Sequence, residues 1–322
     1  MPLGQHDRME PAEGVDGKPA APPEEREPDD VEKLIDAASP HRLVGRLLVL
    51  GAAAGMISFG VHAYKGWQKA KLTRKAPVVR VSAGMFRMGA ELGPAEEMPA
   101  HDVTLASFSI DLTEVTVAAY RLCVDERGCS PSIKWDRCNG GRVDRDDHPI
   151  NCVDWLQAKA FCAWAGKRLP TEEEWEYAAR GRDARRLPWG RAPPGPELLN
   201  ACDKECGRAR ERGQSPEAPL LFEASDGWAT TAPVGSYPKG ESAFGVLDLA
   251  GNVWEWTASP FCTYAADSAS VSPNSPARCA DPRRVSRGGG WSDAQPGSVE
   301  STRRVGDDPT SWADNRGFRC AR

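Results

Sequence analysis

Residues 148–181 read HPINCVDWLQAKAFCAWAGKRLPTEEEWEYAARG, a stretch that predicts two consecutive helices. In the first, Trp155, Ala158, Phe161, Cys162 and Ala165 recur at the spacing of one helical face, and Gly166 is placed to close it. In the second, Thr171 stands three residues before Glu174, so hydroxyl and carboxylate can each satisfy a free backbone N–H, and Gly181 supplies the stop. Upstream, VVRVSAGMFRMG (78–89) and HDVTLASFSID (101–111) alternate apolar and polar residues and read as strands broken by glycine. From about Leu187 onward Gly, Pro, Asn and Asp recur between isolated Trp and Phe, leaving room only for loops and short elements. A loop-rich chain of this kind calls for cross-links or bound ions.

The chain has 322 residues, 40% of them hydrophobic, enough for one large domain plus appendages. Its net charge of -5 argues against a nucleic-acid binder, which would present a basic face. Eleven Trp against five Tyr and eight Phe imply a rigid aromatic interior in which each indole N–H finds a partner. All ten cysteines lie between Cys123 and Cys320, with close pairs such as Cys123/Cys129 and Cys202/Cys206, as expected of disulfides made in an oxidising compartment. Zinc ligation is the other reading, but no CxxC occurs and His is scarce.

The first part of the chain has a different texture. Residues 1–42 are rich in Pro, Glu and Asp and read as a disordered acidic tail. Residues 43–64 contain the uncharged run LLVLGAAAGMISFGVHAY (47–64), long enough to cross a hydrocarbon core of roughly 30 Å as one transmembrane helix. It starts far from Met1 and no small-residue cleavage site follows, so a retained anchor is expected in preference to a cleaved signal. Residues 65–77 form a basic linker, and 78–322 the globular domain. Lys65, Lys69, Lys71, Arg74 and Lys75 would favour a cytoplasmic domain, whereas the cysteines favour the outside. The expectation is a single-pass protein with its C-terminal domain extracytoplasmic, periplasmic or at the cell surface.

Eight segments carry a specific likeness: GMFRMG (84–89), IDLTEVTVAAY (110–120), the quoted 148–181, LPWG (187–190), PVGSYP (233–238), FGVLDLAGNVWEW (244–256), RVSRGGGW (284–291) and NRGFRCAR (315–322). In this order they resemble the formylglycine-generating enzyme domain, also called the sulfatase-modifying factor domain, over about residues 78–322. The resemblance implies an α+β, loop-rich, C-type-lectin-like fold with little regular secondary structure and bound calcium. Family enzymes oxidise a cysteine of a sulfatase to formylglycine with oxygen, copper and two cysteines near the C-terminus.

By that resemblance a first calcium site uses Asp248, Gly251, Val253 and Glu255, two carboxylates flanking main-chain oxygens, hard donors of the kind calcium takes. A second uses Asn200, Ala201, Asp226 and Trp228. The resemblance also implies a Cys162/Cys320 disulfide worth about 4 kcal/mol in the chain-entropy model. Proximity suggests Cys123/Cys129, Cys138/Cys152, Cys202/Cys206 and Cys262/Cys279.

The chain departs from the family where its chemistry resides. Aligning the Gly-Gly-x-Trp anchors puts Asp293 and Ser298 at the two thiol positions. A carboxylate and a hydroxyl are hard donors that hold Cu(I) poorly, and neither forms a mixed disulfide with a substrate cysteine. Copper is therefore not expected. An iron site built from Asp293 with His101 or His148 is less plausible than backbone hydrogen bonding by those histidines. The expected function is a binding or assembly module for a protein or peptide ligand, with a groove at Trp291, Ser292, Arg303 and Arg316. The alternative is an active oxidase converting a protein cysteine to formylglycine, or another oxidoreductase in the same cleft.

Overall fold

The alternating residues after Val78 form β1 (Val78–Val81), β2 (Gly84–Met88), β3 (His101–Leu105) and β4 (Phe108–Asp111) in a computed structural model that describes residues 77–206, 219–264 and 282–322. The expectations for residues 1–76, the membrane span among them, lie outside the described residues. Among the described residues no helix is long and apolar enough to cross a membrane. β1 pairs with β4 and β2 with β3, both antiparallel. Val81, Phe86, Met88, Phe108 and Ile110 point inward and are buried, as the alternation requires.

Helix α1 (Val117–Asp125) follows at a place where the sequence reading assigned none. Its β-branched start, Val115-Thr116-Val117, resembles a strand. Two interactions overrule that preference: the Thr116 hydroxyl accepts from the Ala119 N–H, and Tyr120 stacks on Phe161, 5.7 Å between ring centres. Helices α2 (Trp155–Trp164) and α3 (Glu172–Arg180) form where expected. Asp154 caps α2 in reciprocal exchange with Gln157, Thr171 caps α3 with Glu174, and Gly181 adopts φ 67° at its end.

The C-terminal third contributes β5 (Trp254–Pro260), β6 (Arg284–Arg287), β7 (Arg304–Asp307) and β8 (Arg316–Gly317), in the order β7-β6-β5-β8. β5 and β8 run parallel and the other neighbours antiparallel. This sheet joins two apolar clusters. One packs α1 and α2 on Trp256 and Phe318, and the other packs α3 on β1, β2 and β4 through Trp175 and Tyr177. Burying an aromatic side chain of this size contributes about 2–3 kcal/mol.

The pairs Cys123–Cys129, Cys138–Cys152, Cys162–Cys320 and Cys202–Cys206 are disulfides. Cys262 is also disulfide-bonded, and the partner proposed for it, Cys279, lies outside the described residues.

Candidate functional site

After β6 the chain runs Gly288-Gly289-Gly290-Trp291, and the backbones crowd so closely that side chains have no room. A Cβ on Gly289, at φ 78°, would lie 2.8 Å from the Ser298 carbonyl, and one on Gly290 would lie 2.9 Å from that of Asn315. This convergence brings the Asp293–Ser298 turn and the Asn315 loop around one spot. The Asp293 carboxylate accepts from the Gly290 N–H and the Trp254 indole N–H, each at 2.8 Å. Trp291 is buried and donates to the Asp314 carbonyl at 3.1 Å, while Asn315 donates to Ser292 Oγ at 2.9 Å. The Arg137 guanidinium lies 5.5 Å from the Trp291 ring centre and pairs with Asp314 at 3.0 Å.

Of the four expected groove residues, Trp291 and Ser292 lie side by side here. Arg303 is committed to Glu96 and Glu97, at 2.9 and 3.2 Å. Arg316 pairs with Asp307 at 2.6 Å and covers the Trp256 ring. Trp254, Arg137, Asp314 and Asn315 were not singled out from the sequence. Trp254, inside GNVWEW, and Asn315, at the start of NRGFRCAR, stood in recognisable motifs.

His101 makes the backbone contact expected of it, whereas the His148 ring meets side chains. His101 Nδ1 contacts the Pro99 carbonyl at 3.0 Å, and its ring meets Tyr264 edge-on. His148 is buried against Thr231 Oγ1 and Arg145, with its ring edge-on to Trp228. Burial, then the Arg145 charge, push its pKa from 6.5 down to about 4. Between those values the unfolded chain holds the extra proton, so His148 contributes stability above about pH 6.5 that is lost progressively as pH falls to about 4. A urea-denaturation series is expected to show the parent losing stability relative to His148→Gln as pH falls across that window.

The first oxygen-rich loop spans Asp248 to Glu255. Asp248, Gly251 and Asn252 all adopt positive φ, 56°, 80° and 59°. A Cβ on Gly251 would stand 2.1 Å from the Asn200 carbonyl, so glycine is required there. Glu255 is fully buried, gripped by Arg319 through two contacts of 2.7 Å and by the Trp175 indole at 2.8 Å. Asp248 accepts from the Gly235 N–H at 2.6 Å. Glu114, which the sequence reading passed over, joins the group: Oε1 accepts from the Asn252 amide at 3.0 Å, and the buried Oε2 meets no donor. Burial raises the pKa of both Glu114 and Asp248, and Glu114 rises further because Asp248 faces it. Burial also raises Glu255, with Arg319 opposing. Fully ionised, these three carboxylates exceed the one guanidinium by two charges, the deficit a divalent cation would fill.

The second loop touches the first, since the Asn200 carbonyl accepts from the Asn252 N–H at 2.8 Å. The Asn200 amide donates to the Thr230 carbonyl at 2.8 Å, while its buried Oδ1 has no hydrogen-bond partner. Asp226 accepts from the N–H groups of Ala201 and Trp228, at 3.0 and 2.9 Å. Burial chiefly, reinforced by Asp203, raises its pKa to about 7. One carboxylate oxygen from each of Asp203, Glu205 and Asp226 falls within 4.8 Å of the others. An orphaned amide oxygen beside a raised carboxyl suits a hard cation, so Asn200 and Asp226 fit the calcium role, with Ala201 and Trp228 beside them.

Comparison with known proteins places this arrangement. Residues 65–322 match the family described as "Sulfatase-modifying factor enzyme 1-like domain". The formylglycine-generating enzyme of Streptomyces coelicolor is 37% identical over 292 residues, covering 76% of this chain and 88% of that protein. "Inactive C-alpha-formylglycine-generating enzyme 2" of Bos taurus is 33% identical over 291 residues, covering 76% and 87%. The structure of PvdO from Pseudomonas aeruginosa superposes with a TM-score of 0.59 at 29% identity, covering 76% of this chain and 93% of that one. With a mixed helix and strand fold, the ordered family motifs and these relatives, the chain belongs to the sulfatase-modifying factor, or formylglycine-generating enzyme, family.

Proposed function

We propose that this chain is a membrane-anchored, extracytoplasmic member of the family that lacks cysteine-oxidase activity and acts as a binding or assembly module for a protein or peptide ligand. The observation that carries this reading is the state of the thiol positions. Asp293 is held by Trp254 and Gly290, Ser298 is a hydroxyl, and among the described residues no cysteine is free. Soft Cu(I) finds no thiolate pair there, and a substrate cysteine finds no thiol with which to exchange. The relatives include both a formylglycine-generating enzyme and a protein named inactive, so family membership alone leaves the activity open.

In this reading the two oxygen-rich loops hold calcium and keep a C-type-lectin-like scaffold ordered. Asp248 and Glu255 supply charge at the first loop, Asn200 and Asp226 supply donors at the second, and calcium does no redox work at either. The ligand surface includes the exposed rings of Trp135 and Trp312, 6.4 Å apart, two residues before the ion-paired Arg137 and Asp314. Residues 47–64 supply the anchor, and the disulfides favour an oxidising compartment for the domain.

The test is a Cu(I) titration of the oxidised protein together with oxygen-consumption measurements on a cysteine-containing peptide. The expected result is no stoichiometric copper and no turnover above the peptide alone. Stoichiometric Cu(I) with steady oxygen uptake would establish an oxidase instead.

A further inference from the structure

Cys202 and Cys206 are separated by 4 positions in the chain, against 6, 14 and 158 for the other described disulfides. The shortest ring restricts the unfolded chain least, so this bridge contributes least to holding the fold together. Its position is more informative. Both sulfurs are buried in a small cluster with Trp291, Ala294 and Leu220, and the Cys202 N–H donates to the Asp293 carbonyl at 3.0 Å. On its other side the ring organises Asp203. Oδ1 of that residue accepts from the N–H groups of Glu205 and Cys206, at 2.7 and 3.0 Å, and Oδ2 reaches across to the Asp226 N–H at 2.8 Å. Asp226 in turn holds the Ala201 and Trp228 N–H groups. The ring thus stands between the segment at the vacated thiol positions and the second oxygen-rich loop, and it is built into the geometry of both.

We propose that Cys202–Cys206 is a reducible bridge through which thiol–disulfide poise sets divalent-cation binding at the Asn200–Asp226 loop. The co-reactant is a dithiol. One of its thiolates attacks a ring sulfur, a mixed disulfide forms and releases the other cysteine as thiolate, and the second thiol of the reductant then displaces the first cysteine. Two electrons and two protons pass to Cys202 and Cys206, and the reductant leaves as its own disulfide. With the ring open, Asp203 is no longer held between the Cys206 and Asp226 N–H groups, and the ligands of the loop lose their preorganisation. Because both sulfurs are buried, reduction requires the loop to open locally, which a bound cation opposes. Linkage makes the effect reciprocal: the factor by which reduction weakens cation binding equals the factor by which the cation favours the disulfide.

This inference rests on the calcium part of the proposed function and not on its catalytic part. The experiment uses the full chain in mild detergent. Calcium is titrated calorimetrically into the oxidised protein, into protein reduced stepwise with dithiothreitol until alkylation mapping shows Cys202 and Cys206 modified and Cys162 and Cys320 intact, and into C202A/C206A. The expected result is that Cys202 and Cys206 are alkylated first, and that one calcium site weakens tenfold or more in both the reduced protein and the variant. Saturating calcium should shift the dithiothreitol requirement by the same factor. Calcium affinity unchanged after selective reduction overturns the proposal, as does opening of Cys162–Cys320 before Cys202–Cys206, or no calcium binding by the oxidised protein. Copper-dependent oxygen uptake would refute the silent-module reading while leaving this one intact.

Discussion

Replacing Arg319 with methionine is expected to destabilise the domain by about 3–5 kcal/mol, the cost of leaving a buried charge without its partner. Arg319 is fully buried, and its guanidinium does two jobs. It grips Glu255 through two contacts of 2.7 Å, and it donates to the carbonyls of Asp111, Leu112, Leu247 and Asp248 at 2.9–3.1 Å. Removing it strands Glu255 beside Asp248 and Glu114, two further carboxyls that burial already disfavours as anions. It also releases the loop start at Asp248 from the C-terminal segment. For a domain of this size such a loss lowers Tm by roughly 10 °C. Differential scanning calorimetry of Arg319→Met and of Glu255→Leu/Arg319→Met checks the cause. The double variant should recover part of the loss, because it removes the stranded charge along with its partner. A single variant within about 1 kcal/mol of the parent would show that the pair is dispensable.

Removal of the Cys162–Cys320 bridge should have a comparable effect for a different reason. The bridge joins α2 to the C-terminal GFRC segment across 158 positions of sequence, and both sulfurs lie in the core beside Phe161 and Phe318. A loop of that length gives the unfolded chain much to lose by cross-linking, about 4–5 kcal/mol in the chain-entropy model. Replacing both cysteines with alanine should therefore lower the urea midpoint substantially, whereas replacing Cys202 and Cys206 should cost only about 2 kcal/mol on the same grounds. Equal losses for the two bridges would mean that native-state packing, and not ring length, dominates their contribution.

Much of the fold was legible because local chemistry announces it. Asp154 with Gln157 and Thr171 with Glu174 cap their helices where the sequence places them, since a cap depends only on residues three apart. Helix α1 was not legible: its Val-Thr-Val start favours a strand, and the Tyr120–Phe161 stack that overrules it comes from forty-odd residues away. The candidate site divides in the same way. Asp248 and Glu255 could be named because they sit in the FGVLDLAGNVWEW segment, and Asn200 and Asp226 because the resemblance assigns them. Glu114 could not, because its place beside Asp248 is a contact between distant segments. Arg303 and Arg316 were expected to line the groove, but their pairing with Glu96, Glu97 and Asp307 is decided by what lies across the fold.

The sequence by itself determined the family, the capped helices, the lack of long regular elements in the C-terminal third and the absence of cysteine at positions 293 and 298. These follow from residue identity and near-neighbour spacing, which the chain carries before it folds. Only the tertiary structure decided that Glu172, Glu173, Glu174 and Glu176, which look like a solvated face, are all buried, two of them against Arg287 and Arg304. It alone also placed the Cys202–Cys206 ring between the Asp293–Ser298 segment and an oxygen-rich loop. Burial and charge pairing depend on which distant segments meet, and a linear string of residues does not specify those meetings locally.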